Sequence, residues 1–479
     1  MNLFAHPLLA SPKPNTRSVF WAFVSLFALG LALRAVVCAE TCSFVHPDEH
    51  QQFLEQAHRL VHGYGKKFWE QERGIRHPLY QSVLAVMLGG LELVGVRDPF
   101  VQAGALRFIV AGMALGAWAL FAWQFQRRGD TAVALLMMFV VSLSPDLIYV
   151  HTHPLSELAA TIPFLLAVCC LDRRPVVAGM LLGVCFALRF QMGFLIGGMV
   201  LLAAAGVRFR PRGDFLRFVL AALGSLLALG VGDWLIFGRP FHTPIEYFRA
   251  NIVQGISRIY GEHPWYQYFA WIHEHGGLIV LGLAPLLIVG VMREWKFGIL
   301  LAVFTAAHIA VEHKEARFLL PIVPFALAFV VTGIAGITQY VRSRFRPVVW
   351  TIITSAFVTL FALRIPEVQW EPRDAYRSTS KLLHIAGRQP DITGIGVLGI
   401  HVTECGNYFF LKRNVPLLGT EDDRTPYFQI DPSLNDIRVN FLIAPSHLME
   451  PYVRWNPVPI AHQSVWTLYR LDRGTPDLK

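Results

Sequence analysis

Charge is scarce in this chain. Asp, Glu, Lys and Arg make up 16% of its 479 residues, against about 25% in ordinary soluble proteins. Hydrophobic residues reach 54%, and the mean hydropathy is +0.45. Disordered, collagen-like and coiled-coil chains are excluded, and so is a freely soluble fold. Cysteine is sparse as well: six in 479 residues cannot frame a secreted disulfide scaffold. An HExxH pattern and cysteine pairs at ligand spacing are missing, which leaves little signal for a metal. No single basic face interleaved with aromatics is present, so the net charge of +9 does not mark a nucleic-acid partner. Repeats of solenoid or inverted-half period are absent too.

What the chain has instead is long apolar runs. A spanning helix needs about 20 mostly apolar residues to cross roughly 30 Å of hydrocarbon. Runs at 18–38, 103–125, 131–150, 155–171, 175–190, 192–206, 215–237, 277–292, 297–312, 318–340 and 347–363 predict a polytopic α-helical membrane protein with about eleven transmembrane helices. A further run, 79–96, decides the topology. If it does not span, Arg127-Arg128, Arg173-Arg174, Arg208/Arg210/Arg212, Arg293/Lys296 and Arg342/Arg344/Arg346 share the side of Lys13 and Arg17, as the positive-inside rule requires. If it spanned, every later basic loop would flip outside. The run 79–96 is therefore expected to lie on the outer face as an amphipathic or re-entrant helix. The long loops 39–102 and 238–276 fall on the same side. The first run carries Arg34 and no small-residue cleavage site, so it reads as a retained span, not a signal peptide.

After Arg364 the pattern changes, and residues 366–479 follow the membrane module 1–365 as a separate region. Residues 375–387 read as a helix ending at a glycine. Segments 394–402, 407–412, 438–444 and 464–470 read as strands. A small α/β domain results, on the outer face if the span count is odd. Cys42 and Cys405 fall on that face and are candidates for pairing, whereas Cys169, Cys170 and Cys185 suit buried span positions.

Charges beside membrane spans are costly and hint at function. His46, Asp48, Glu49, His50, Glu55 and His58 crowd the stretch FVHPDEHQQFLEQAHRL after the first span. Acids after a proline suit the first turn of a helix, whose dipole favours anions. A carboxylate at the mouth of a membrane cavity can equally act as a general base. Both readings stand. Arg73, Arg76 and His77 in 72–80 either decorate a solvated turn or meet phosphate or sugar. Ser156 and Glu157 suit a helix cap. Arg189 and Gln191 interrupt an apolar stretch, and from an outward tip Arg189 could reach an anionic head group. Tyr260, Trp265, Tyr266, Tyr268 and Trp271 in 238–276 fit an interfacial belt or sugar stacking. The turn 312–321 packs Glu312, His313, Lys314, Glu315 and Arg317 between apolar runs, and an anionic ligand such as a lipid phosphate would explain its cations.

Taken together, HPDEHQQFLEQAH (46–58), GYGKKFWEQERGIRHPLY (63–80), TPIEYFRANI (243–252), YGEHPWYQYF (260–269) and HKEARFLLPIVP (313–324) resemble the family 22 glycosyltransferases. These are lipid-phosphate-mannose-dependent mannosyltransferases of GPI-anchor and N-glycan precursor assembly, and the pieces keep the family's order. The YG-x-HPW loop looks closest to the GPI third-mannose branch. IRHPLY departs from an arginine-serine pair that members often carry ahead of the proline.

The resemblance implies a GT-C architecture and an inverting transfer of mannose. The donor would be a polyprenyl- or dolichyl-phosphate mannose and the acceptor a glycan or glycolipid, with no cofactor and no metal. Asp48 is then the expected catalytic base, with Glu49 as its alternative or as a ligand to the acceptor sugar. Lys314, Arg317, Arg189, Arg76 and His263 are expected around the donor phosphate. His46, Trp265, Tyr266, His313 and Glu315 are expected around the sugar or acceptor. The outer face would be an endoplasmic reticulum lumen or a bacterial periplasm. The competing readings are a lipid-linked glycan flippase and a GT-C transferase using another lipid-phosphate sugar.

Overall fold

The computed structural model describes residues 16–41, 46–204, 212–368, 374–419 and 438–472. Every apolar run is helical within them. Thr16–Glu40, Pro99–Arg127, Gly213–Phe237, Ala316–Thr338 and Ser343–Arg364 are long and apolar enough to cross a bilayer, and the bent pair Thr131–Leu143 and Pro145–His151 makes a sixth. The chain is an integral membrane protein. The helices Ser156–Cys170, Pro175–Leu188, Phe190–Ala204 and Trp295–Ile309 fall short of the roughly 20 residues a span requires. Among the described residues, length and composition alone thus qualify five helices as spans, or six with the bent pair. Leu79–Leu93, at 15 residues, is likewise too short to span. Lys13, Arg208, Arg210 and Cys42 lie outside the described residues. Cys405 is buried, with its thiol directed at the Val402 carbonyl 2.9 Å away.

The bend of 67° in the third apolar run has a local cause. Pro145 has no N–H to offer the Val141 carbonyl one turn back. Arg34 takes that place: its guanidinium donates to Val141 O at 2.7 Å and to Gly30 O at 2.9 Å, and lies 3.0 Å from His151 Nδ1. The charge inside the first span, fully buried, is thereby turned into a clamp on a proline break.

Two compact units form. The first comprises residues 1–36, 73–77 and 109–368; the second comprises 37–72, 78–108 and 369–479. Aromatic packing centres the first unit, with Phe121 against Phe125 and Phe325, and Phe164 and Phe297 also against Phe325. Within it, the helices Gln267–Arg293 and Val323–Thr338 approach through reciprocal glycines. A Cβ on Gly290 would sit 1.9 Å from Phe329 O, and one on Gly333 would sit 2.1 Å from Leu286 O. Small residues let the two backbones touch.

In the second unit, the helix Asp374–Gly387 packs on a five-stranded sheet. Its strands are β1 (Ile395–Val397), β2 (Leu417–Gly419), β3 (Phe441–Pro445), β4 (Val458–Gln463) and β5 (Trp466–Arg470), in the order β2-β1-β3-β5-β4. β2, β1 and β3 run parallel, while β5 is antiparallel to β3 and to β4. Segment 407–412, expected as a strand, is instead mostly the helix Asn407–Leu411, entered through the left-handed Gly406 at φ +95°. Parallel neighbours β1 and β2 need a crossover, which this helix supplies. β4 carries Pro459 and lies at the sheet edge, where a missing N–H is tolerated.

Candidate active site

In the second unit, the PDEH turn starts a helical stretch and sorts its two acids. Glu49 is 1% exposed, and its Oε1 accepts the His46 N–H at 3.0 Å while its own N–H donates to His46 O at 3.1 Å. This reciprocal cap spends Glu49 on the backbone. Asp48 keeps 21% of its side chain exposed, with Oδ2 3.6 Å from His46 Nδ1. That ring nitrogen accepts the Asp48 N–H at 3.2 Å. Of the two carboxylates, Asp48 is the one open to a substrate.

Behind this turn the same unit is tied together by buried acids. Glu55 is fully buried and accepts N–H groups from Lys66 at 2.7 Å and Phe409 at 2.9 Å. Burial lifts its carboxyl to about 7, against the pull of those donors. Burial also pushes His50 down to about 3, opposed by Glu49. Glu92 gathers Gln102, His62 and Lys412 at 3.0, 3.1 and 3.4 Å. The segments around Glu55, Glu92 and Lys412 are thus joined through charge-assisted bonds.

In the first unit, the turn after the helix Trp295–Ile309 builds a second constellation. His313 lies 3.1 Å from both Gly261 O, through Nδ1, and Glu315 Oε1, through Nε2. Both partners are acceptors, an arrangement that favours the protonated ring. Burial alone would depress it, but Glu315 and Gly261 outweigh burial and raise His313 above its usual range. Glu315 also takes two parallel bonds from Arg317, at 2.7 and 2.9 Å. Lys314 is 2% exposed and donates to the carbonyls of Val311 and His263, closing loop 260–269 onto 311–317. Arg189 donates to Ser156 Oγ at 2.9 Å and pairs with Glu157 at 3.2 Å; Arg317 lies 3.5 Å from the same Glu157 oxygen. Both guanidinium groups stand over the Phe318 ring, at 4.9 and 5.5 Å. Arg189 and Arg317 thus share Glu157, while Arg317 and His313 share Glu315.

Segment 73–77 also belongs to this unit. Arg73 donates to Gln254 at 2.9 Å, and Arg76 stands over the Tyr247 ring at 5.8 Å. His77 lies 4.0 Å from Asp233, a fully buried acid at the end of the span Gly213–Phe237. Asp233 Oδ2 accepts both the N–H and the hydroxyl of Thr243 at 2.8 Å.

The structure therefore gathers Arg189, Lys314, Arg317, His313 and Glu315, with His263 joining through its carbonyl. Arg76 lies on the Tyr247 side. Trp265 and Tyr266 are 65% and 51% exposed and meet edge to face at 5.7 Å. Asp48, Glu49 and His46 belong to the other unit. Two acids were missed as site components. Glu157, the last residue of HTHPLSE, read as a helix cap, and nothing in its own segment pointed to Arg189. Asp233 was visible as a lone acid inside an apolar run, which by itself marks a functional candidate.

Among solved structures, ArnT from Cupriavidus metallidurans bound to undecaprenyl phosphate matches 93% of this chain and 97% of its own length, with a TM-score of 0.63 at 14% identity. An Archaeoglobus fulgidus oligosaccharyltransferase matches 89% of this chain and 69% of its own, with a TM-score of 0.53 at 11% identity. The fold is that of the GT-C membrane glycosyltransferases. Within that class, the profile of the Alg9-like mannosyltransferase family matches residues 25–372, and the chain belongs to that family. Mannosyltransferase APTG1 of Arabidopsis thaliana is 28% identical over 64% of this chain and 57% of its own. GPI mannosyltransferase 3 of Yarrowia lipolytica is 25% identical over 81% of this chain and 74% of its own, and that of Drosophila melanogaster 28% over 65% and 55%. The chain thus spans a little over half the length of two of these relatives.

Proposed function

We propose that this protein is an inverting mannosyltransferase that moves mannose from a polyprenyl- or dolichyl-phosphate donor to a glycan or glycolipid acceptor at the outer membrane face. That face is an endoplasmic reticulum lumen or a bacterial periplasm. The observation that carries the reading is the guanidinium pair of Arg189 and Arg317, held over the Phe318 ring with Glu157 and Glu315 as counter-ions, in a chain of this family.

Single-displacement inversion asks for two things: a base on the acceptor hydroxyl and charge stabilisation on the departing phosphate. Asp48 is the base. The acceptor oxygen attacks the anomeric carbon, its proton goes to Asp48, and the bond to the phosphate oxygen breaks with its electron pair leaving on phosphate. Arg189, Arg317 and His313 receive that charge, so no general acid is required. Lys314 acts differently, holding loops 260–269 and 311–317 together, and the exposed Trp265 and Tyr266 offer stacking faces to sugar.

The test is transfer of radiolabelled mannose by purified protein from dolichyl-phosphate mannose, set beside GDP-mannose and beside uptake into sealed vesicles. Label in a glycolipid from the lipid-phosphate donor alone is the expected result. Transport without transfer, or transfer from the nucleotide sugar, contradicts the proposal.

A further inference from the structure

We propose that Glu157 is a positioning residue of the donor-phosphate site, a buried carboxylate that holds Arg189 and Arg317 side by side as one guanidinium pair for an anionic lipid phosphate. The inference rests on the donor reading above. Two like charges packed over one phenyl ring repel each other strongly wherever water is excluded. A shared counter-ion is what allows both to stay. Glu157 Oε1 lies 3.2 Å from Arg189 Nη2 and 3.5 Å from Arg317 Nε, and the carboxylate is fully buried.

Ser156 completes the arrangement. Its Oγ accepts from Arg189 Nη1 at 2.9 Å and donates to Glu157 Oε2 at 3.1 Å. Ser156 thus holds one terminal nitrogen of Arg189 while Glu157 faces the other. Arg317 is held by Glu315 through two bonds, and its Nε also faces Glu157. A helix-start acid that served only the dipole would face solvent or the helix's own N–H groups. Here it is shared between a guanidinium that follows the helix Pro175–Leu188 and one in the 316–322 turn. Planar guanidinium groups held in register can each offer paired N–H donors to a phosphate, which a mobile side chain does less well.

The sign of the effect separates this role from its rivals. A carboxylate merely near a phosphate repels it, so neutralising that carboxylate would tighten binding. A carboxylate that only braces the fold would, when neutralised, lower the unfolding temperature and leave donor affinity alone. A positioning carboxylate, when neutralised, lets the two guanidinium groups part and weakens donor binding.

The experiment uses the full chain in detergent with dolichyl phosphate as the binding probe and dolichyl-phosphate mannose as the donor. Glu157→Gln is expected to weaken dolichyl phosphate binding and raise the donor KM at least tenfold, with the acceptor KM within twofold. Glu157→Asp, which keeps the charge one methylene shorter, is expected to recover part of the loss and carries the test alone if the glutamine variant does not fold. Unchanged or tightened donor binding in folded variants overturns the role of Glu157. Failure of the wild-type chain to bind dolichyl phosphate overturns the donor reading itself, a separate result.

Discussion

Replacing Arg34 by methionine should loosen the first unit by an amount that depends on Pro145. The substitution keeps the bulk of the side chain but removes the donors to Val141 O and to His151 Nδ1, at 2.7 and 3.0 Å. A bond to a charged donor contributes about 1.5–3 kcal/mol, and a stranded buried carbonyl costs a similar amount. The guanidinium's own burial cost disappears at the same time, which leaves a net loss of about 2–5 kcal/mol. At roughly 2–4 °C per kcal/mol, the unfolding midpoint in detergent should fall by about 5–15 °C. Arg34→Lys, with one donor head in place of a fork, should fall in between. The decisive comparison is Pro145→Ala, which restores an N–H to the Val141 carbonyl. In that background Arg34→Met should cost about 1–2 kcal/mol less, a coupling that a double-mutant cycle reads directly. Strictly additive effects would refute the clamp, because the proline and the arginine would then act on different things.

The second unit should lose stability on mild acidification. His50 falls to about 3 on folding, and burial drives His58 down to about 2, so the unfolded chain binds more protons below pH 6.5. Stability therefore falls as pH drops through that window, by up to about 1.4 kcal/mol per pH unit for each histidine. Glu55, raised to about 7, works oppositely between pH 7 and 4.5 and cancels one histidine's share. Glu55→Gln should thus steepen the acid loss, measured by tryptophan fluorescence at pH 7 and pH 5, and a shallower loss would show that the three groups are not buried together. Asp233→Asn should cost about 1–3 kcal/mol and speed hydrogen exchange at the Thr243 amide. An unchanged exchange rate would mean that Asp233 does not hold the start of the helix His242–Phe248.

Much of this was legible in the amino-acid order, for reasons that are physical. Apolar length is a strong signal, so the positions of the membrane helices followed from the runs. Whether each helix spans did not, because Ser156–Cys170 and Pro175–Leu188, like the runs that contain them, fall below about 20 residues. In HKEARF, cations and acids crowded between apolar segments marked a site on composition alone. The partners of those cations were hidden, since nothing local says that Glu157 serves two arginines or that the Lys314 amine turns to carbonyls. Asp48 was preferred to Glu49 on the resemblance alone, whereas the bond from the His46 N–H to Glu49 is geometry that no sequence pattern carries. In the C-terminal segment β2 and β4 were missed, while β1, β3 and β5 were readable. NYFFLK was not, because its short apolar run suits strand and crossover helix equally.

The central claim is that Asp48 takes the acceptor's proton while Glu49 holds the turn. Transfer of radiolabelled mannose from dolichyl-phosphate mannose, measured for Asp48→Asn and Glu49→Gln in folded protein, tests it most directly. Asp48→Asn should reduce kcat by about 100-fold or more, the usual share of a general base, with donor binding intact. Glu49→Gln should retain most of its turnover and lose stability. Near-normal turnover by Asp48→Asn would contradict the account.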